Sequence, residues 1–286
     1  MQRRQAILDR ISIMTLNFVN ELKLPGQSGP ERTLDMLDIP QMYADTYNVH
    51  NIEFQFNHIP STEKAYWDEM KARLVKTRSR ITQFNLEFET RNITAESGSL
   101  RLEAIDLTKQ WVDHAVYMGV PRVMVNQGAP SEANRSYGVE TLKTMGEYAK
   151  SKGVKVSMET RGGGGGGRGR AGAPGQAAAA PAPVAPTGPI IPAVALLSEF
   201  IKASGTYSNV DIGGVGAPDQ ATLHKAIEIL LPTSSGNMHI KTSPNWDLPT
   251  ALKYVNNDLR YAGLFSIELR GHEATRRVYD TILEAL

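Results

Sequence analysis

Four residues of this chain carry side chains that bind hard divalent cations, and they stand at related points: Glu159 in "VKVSMET", Asp211 in "SNVDIGG", His239 in "NMHIKTS" and Glu268 in "LFSIELRG". Their spacings are 52, 28 and 29 residues. Each phrase is a short run rich in β-branched and apolar residues, so each ligand-type residue falls at the C-terminal end of a predicted strand. Three carboxylates and one imidazole suit Mn²⁺, Mg²⁺ or Co²⁺ better than structural zinc, which favours thiolates or several imidazoles. Such a set leaves positions open for two oxygens of a substrate. Singly, each has an ordinary alternative. A strand-end acid can cap the next helix or pair with an arginine, and a lone histidine can sit in a core or loop. The equivalence of four positions in consecutive units is what points to a metal site.

Four strand ends meet only if the sheet brings them together. The chain alternates short apolar runs with amphipathic stretches of helical length. Strands are predicted at about 10–18, 51–57, 81–88, 122–128, 154–160, 208–214, 237–243 and 264–271. Helices are predicted between them, one opening with Ser61 as N-cap, one from Ser99 to a stop at Gly119, and one capped by Asp247 and ending at Gly263. Helical crossovers between strands imply a parallel sheet, and eight such units in this length imply a closed (β/α)8 TIM barrel. A doubly wound open sheet is the rival, but its polar residues would gather at one switch point. Here they are spread over many strand ends: Glu53, Gln55 and Asn57; Asn85 and Glu87; Asn126 and Gln127; Lys241; Arg270. Polar groups so distributed converge only on the C-terminal face of a closed barrel.

The length of 286 residues fits one such barrel spanning 1–286. One segment does not fit the alternation. Residues 161–192, beginning "RGGGGGGRGR", are rich in Gly, Ala and Pro and cannot contribute to a core. The tract lacks the Lys-Ser/Thr ending of a phosphate loop and has no aromatic residue for stacking on nucleic acid. It is expected to be a disordered, flexible insert in the loop after the fifth strand. A formal net charge of +1 gives no general attraction to nucleic acid or to an anionic membrane. The absence of cysteine excludes disulfides and thiolate metal sites. No apolar run is long enough to span a bilayer, and "ISIMTLNF" is too short for a signal-peptide core. A cytoplasmic location is expected for the sequence as it stands, and a periplasmic one if the true start lies upstream. Self-association is left open.

With these phrases in view, the chain resembles the xylose isomerase-like barrels of the sugar phosphate isomerase/epimerase family. That family's recurrent pattern is Glu, Asp, His and Glu at the ends of strands five to eight, matched here by Glu159, Asp211, His239 and Glu268. "NIEFQFN" is similar to its second strand, where a glutamate is common. The resemblance implies a metal-dependent enzyme, with Mn²⁺ the favoured ion, that moves a proton beside the carbonyl of a small carbohydrate through an enediolate. Glu159 and Glu268 would be the acid–base pair, while Glu53, Asn85, Asn126, Gln127, Lys241 and Arg270 would contact substrate. His58, just past the second strand, is a weaker candidate.

Two departures narrow the resemblance. Ketose 3-epimerases carry a substrate-binding histidine three residues after the strand-six aspartate, where this chain has Gly214. Many members carry an acid in an H-x-K-D phrase, where this chain reads "HIKTS". A lyase cleaving a 3-oxo sugar, or C-glycoside, through the same metal site is one alternative. A non-catalytic sugar-binding barrel is another. An endonuclease-IV-like nuclease is disfavoured, because it needs many histidine ligands and the chain has six histidines in all.

Overall fold

A computed structural model describes residues 2–125, 128–160 and 189–286. Eight parallel strands close into a barrel in sequence order: β1 (Ile11–Met14), β2 (Asn51–Gln55), β3 (Arg80–Leu86), β4 (Arg122–Val125), β5 (Lys155–Glu159), β6 (Tyr207–Asp211), β7 (Ser234–Ile240) and β8 (Leu264–Ile267). Closure runs through β1 and β8, with Ser12 beside Ser266 and Ile13 beside Ile267. The helices are α1 (Gln2–Leu8), α2 (Ile39–Tyr47), α3 (Lys64–Thr77), α4 (Gly98–Met118), α5 (Arg135–Ser151), α6 (Ile190–Ser204), α7 (Gln220–Leu230), α8 (Leu248–Lys253) and α9 (His272–Ala285). No helix among the described residues is long and apolar enough to cross a membrane.

The strands sort their side chains by period-two alternation. Phe54 and Phe84 point outward into the helical layer, where Phe84 meets Trp67 of α3 and Trp111 of α4 with ring centroids 5.9 and 5.3 Å apart. Their neighbours in sequence, Glu53, Gln83 and Asn85, are fully buried on the inward side. Emptying a packed aromatic site such as Phe84 would cost about 3–5 kcal/mol. The outer core therefore holds the inner ring of strand ends in place.

Several boundaries differ from expectation. The segment before β1, for which no element was expected, is a helix with Ile7 and Leu8 buried. After Met14 the chain turns into a 3₁₀ segment, Thr15–Phe18, instead of extending. Helix α6 starts at Ile190, inside the tract assigned to the insert. Its Pro192 lies in the first turn, where the missing N–H has no helical acceptor to lose. The rest of the expected insert, 161–188, lies outside the described residues. At α3 the N-cap is Glu63, and Ser61 instead accepts the Glu63 N–H at 3.1 Å. The helix capped by Asp247 is shorter than expected: α8 passes at Lys253 into a π-turn over Tyr254–Asp258.

Candidate metal and acid–base centre

Strand register brings the site together. Asp211 of β6 lies beside His239 of β7, and His239 lies beside Ser266 of β8, two residues before Glu268. Thr160 laces β5 to β6: its N–H donates to the Asn209 carbonyl at 3.1 Å, and its hydroxyl accepts the Asp211 N–H at 2.8 Å. That stitch sets Glu159 next to Asp211. The result is a cluster in which Glu159, Asp211, His239 and Glu268 each offer a ligand atom within 4.8 Å of the others, all buried.

Each side chain is held by something behind it. Asp211 Oδ1 accepts the backbone N–H groups of Gly213 and Gly214 at 3.1 and 2.8 Å. That leaves Oδ2 to meet Lys241 Nζ at 2.5 Å. Lys241 also reaches Glu268 Oε2 at 3.0 Å and, with 21% of its side chain exposed, is the member of the cluster nearest to solvent. His239 turns Nε2 to Glu53 Oε1 at 2.6 Å, and Nδ1 faces Glu268 Oε2 at 2.9 Å and Glu159 Oε1 at 3.8 Å.

The electrostatics are one-sided. Burial raises the Asp211 pKa, and the nearby Glu268 and Glu159 charges add to that against the opposing pull of Lys241 and His239. Burial alone would lower the His239 pKa, but the Glu53 charge and its contacts with Glu159, Glu268 and Glu53 outweigh it and hold the pKa well above the usual imidazole value. Glu53 is likewise held below the usual carboxylate range: burial opposes ionisation, and His239 together with hydrogen bonds from Ser266 and Asn237 overcomes it. Four buried carboxylates, Glu53, Glu159, Asp211 and Glu268, thus face only two basic groups, Lys241 and His239, a surplus of two acidic groups.

A divalent cation fits that surplus, and three carboxylates with one imidazole are an apt donor set for a hard ion. The direction of His239 Nδ1 fits as well. It is buried without an aligned hydrogen bond, although two carboxylate oxygens stand close to it. The cluster can therefore hold a metal ion.

The sequence profile of the xylose isomerase-like TIM barrel family matches residues 43–177, a stretch that includes Glu53 and Glu159. That match takes in a little under half of the chain, and the chain shares the family's eight-stranded parallel barrel. Solved structures agree at the level of fold. A 3-keto-D-glucoside 4-epimerase from E. coli matches with TM-score 0.66 and 13% identity, over 96% of this chain and 98% of that one. A D-psicose 3-epimerase from Clostridium cellulolyticum H10 matches with TM-score 0.65 and 12% identity, over 96% of each chain. A probable 3-DHS dehydratase from Bacillus anthracis matches with TM-score 0.64 and 14% identity, over 96% and 97%. No curated protein sequence matches the chain.

Within the barrel, the remaining candidates fall in different places. Asn85 is buried, accepts from Gln83 Nε2 at 2.9 Å, and has an amide nitrogen with no hydrogen-bond partner among the described residues. Arg270 donates to the Leu16 carbonyl at 2.7 Å, which ties the end of β8 to the turn after β1. Asn126 and Gln127 lie outside the described residues. Glu53, expected to meet substrate, is instead sealed beneath His239. His58 is buried against the Thr15 hydroxyl at 3.0 Å, and its pKa is pushed down to about 3 by burial and by the Arg270 and Arg32 charges. His50, His114 and His224 pack elsewhere, on the Thr77 carbonyl, between Trp67 and Trp111, and on Tyr254.

A polar layer under the cluster was not expected. Polar residues are not confined to strand ends, for Ser157, Asn209, Asn237 and Ser266 are also fully buried. Each stands two residues before one of the quartet, so alternation puts it on the same inward side one layer deeper. Gln83 bridges this layer, donating to Glu53, Asn85 and Asn209 at 3.0, 2.9 and 3.2 Å.

Proposed function

We propose that this protein is a divalent-metal-dependent isomerase or epimerase acting on a sugar or a sugar-derived hydroxy-carbonyl compound. One observation carries the reading: Glu159 and Glu268, from strands that are not neighbours, converge on the same buried point as Asp211 and His239. These four would hold the ion, with Mn²⁺ favoured and Mg²⁺ or Co²⁺ as alternatives for so oxygen-rich a set. When bound, such an ion supplies Lewis-acid polarisation of a carbonyl and charge stabilisation for the enediolate that follows deprotonation.

The chain's own groups do the rest. One of the two glutamates takes the proton from the carbon next to the carbonyl, and a proton returned to the opposite face inverts that carbon. Return to the neighbouring carbon gives an isomer instead. Lys241, the most exposed of the group, donates to a substrate oxygen after leaving Asp211 and Glu268. The Asn85 amide N–H meets a hydroxyl.

The test is proton exchange. Purified protein is assayed for bound metal, then offered ketoses and 3-oxo-glycosides in D₂O, alongside His239→Ala and Glu159→Gln. Deuterium at a substrate carbon, with metal content lost in the variants, is the expected result. No divalent metal in the wild type above the level of the variants would overturn the reading.

A second reading is favoured by Gly214. A Cβ there would lie 2.3 Å from Asp211 Oδ2 and 2.8 Å from the Thr160 carbonyl, so the site has no room for the epimerase histidine. Lyase-type cleavage of a 3-oxo sugar by the same groups does not call for that histidine. The same substrate screen separates the two, since cleavage yields two products or an unsaturated one.

A further inference from the structure

Glu53 sits at the centre of the barrel, yet it belongs neither to the quartet nor to any surface a substrate could reach. Both carboxylate oxygens are already engaged. Oε1 accepts from His239 Nε2 at 2.6 Å and from Gln83 Nε2 at 3.0 Å. Oε2 accepts from Asn237 Nδ2 at 2.9 Å and from the Ser266 hydroxyl. A carboxylate has about four acceptor directions, so none is left for a ligand.

We infer that Glu53 is a positioning residue: it accepts the His239 Nε2–H and so leaves Nδ1 as the lone-pair nitrogen turned towards the ion. This rests on the metal-dependent reading above. Three features of the fold support it. First, the β2–β3 ladder has a register shift between Ile52 and Glu53, after which Glu53 pairs with Gln83. Bulges of this kind re-aim a side chain. Second, the donors that fix Glu53 come from the strands that carry the quartet. Asn237 is two residues before His239, and Ser266 two before Glu268. Displacing Glu53 would therefore disturb β7 and β8 where they present their ligands. Third, an imidazole that ligates through one nitrogen needs its other N–H satisfied, and such outer partners typically change metal affinity 10–100-fold.

The experiment measures Mn²⁺ affinity by calorimetry in the wild type, Glu53→Gln and Glu53→Ala, with folding checked by thermal melting. Both substitutions are expected to weaken binding by about 10–100-fold. Folded variants that bind Mn²⁺ as tightly as the wild type would overturn the inference alone. A wild type that binds no divalent ion would overturn the functional reading and the inference with it. If neither variant folds, ¹⁵N spectra of wild-type His239 with the diamagnetic Zn²⁺ decide. Nε2 is expected to carry the proton while Nδ1 shifts on metal addition, and the reverse assignment overturns the inference.

Discussion

The Lys241 ammonium lies 2.5 Å from Asp211 Oδ2, and the same nitrogen lies 3.0 Å from Glu268 Oε2. It thus pairs with two of the carboxylates that would bind an ion, and does so from the solvent side of the cluster. Lysine and metal compete for the same charge. On the proposed reading, an ion held by these groups would take over the work of the ammonium and leave Lys241 available to substrate.

Lys241→Met is accordingly expected to destabilise the metal-free protein by about 3 kcal/mol, the lower end of the cost of stranding a buried charge, because Lys241 is itself partly solvated. The metal-loaded protein should lose much less. Thermal melts in EDTA and in excess Mn²⁺ report the two states. The gap between them should widen in the variant, and an unchanged gap would show that lysine and metal do not share the site.

Metal binding should strengthen as pH rises. The His239 pKa in the metal-free fold is raised above the ordinary imidazole value by Glu53 and the flanking glutamates, against the effect of burial. Its pairing therefore contributes stability that is fully present below about pH 6.5, the unfolded value, and is lost as pH climbs through the raised folded value. An ion ligated by Nδ1 must displace that proton. Apparent affinity should fall about tenfold for each pH unit below the folded pKa. Calorimetry in two buffers of different ionisation enthalpy should find close to one proton released at pH 7, and zero release would rule out displacement from His239.

Gly214→Ala places a Cβ against Asp211 Oδ2 and the Thr160 carbonyl. Something must shift, and Asp211 is the softer partner. Overpacking of this sort costs about 1–3 kcal/mol. Here the larger effect should appear in metal affinity, because the Gly214 N–H also orients Asp211 Oδ1. Titration with Mn²⁺ checks this, and an affinity equal to that of the wild type would mean that Asp211 contributes nothing to binding.

The closed barrel and its quartet were legible because both are periodic. Glu159, Asp211, His239 and Glu268 fall at matching points of repeating units, and a repeat is visible without coordinates. Glu53 was visible as a polar strand residue, but its role was not. That role depends on a register shift between β2 and β3 and on donors 184 and 213 residues away in sequence. The polar layer of Ser157, Asn209, Asn237 and Ser266 carries a signal of its own in the sequence, namely an i−2 relation to the quartet on each strand. Helix α1 was missed for another reason: seven residues ahead of a strand are too few for helical periodicity to stand out. The start of α6 was hidden because Pro192 looks like a breaker unless the helix is known to have just begun.

His58 offers a test of the barrel that does not involve the cluster. The Thr15 hydroxyl accepts the Gln55 N–H at 3.0 Å, so its own proton is free to go to His58 Nδ1 at 3.0 Å. His58 Nδ1 can accept that proton, and the residue is neutral in the fold. Burial, with Arg270 and Arg32 adding to it, pushes its pKa down to about 3. The folded value lies below the unfolded one, so the stability tied to neutral His58 is present above about pH 6.5 and is lost as pH falls towards about 3. Between those limits the unfolded chain holds one more proton, which gives a slope of about 1.4 kcal/mol per pH unit. His58→Asn keeps a side-chain acceptor for Thr15 but cannot titrate. Urea unfolding in EDTA from pH 7.5 to 4.5 should show the wild type losing stability faster than the variant by about that slope. Carboxylates common to both proteins cancel in the difference. Parallel curves would mean that His58 is protonated in the folded protein and that the Thr15 hydrogen bond runs the other way.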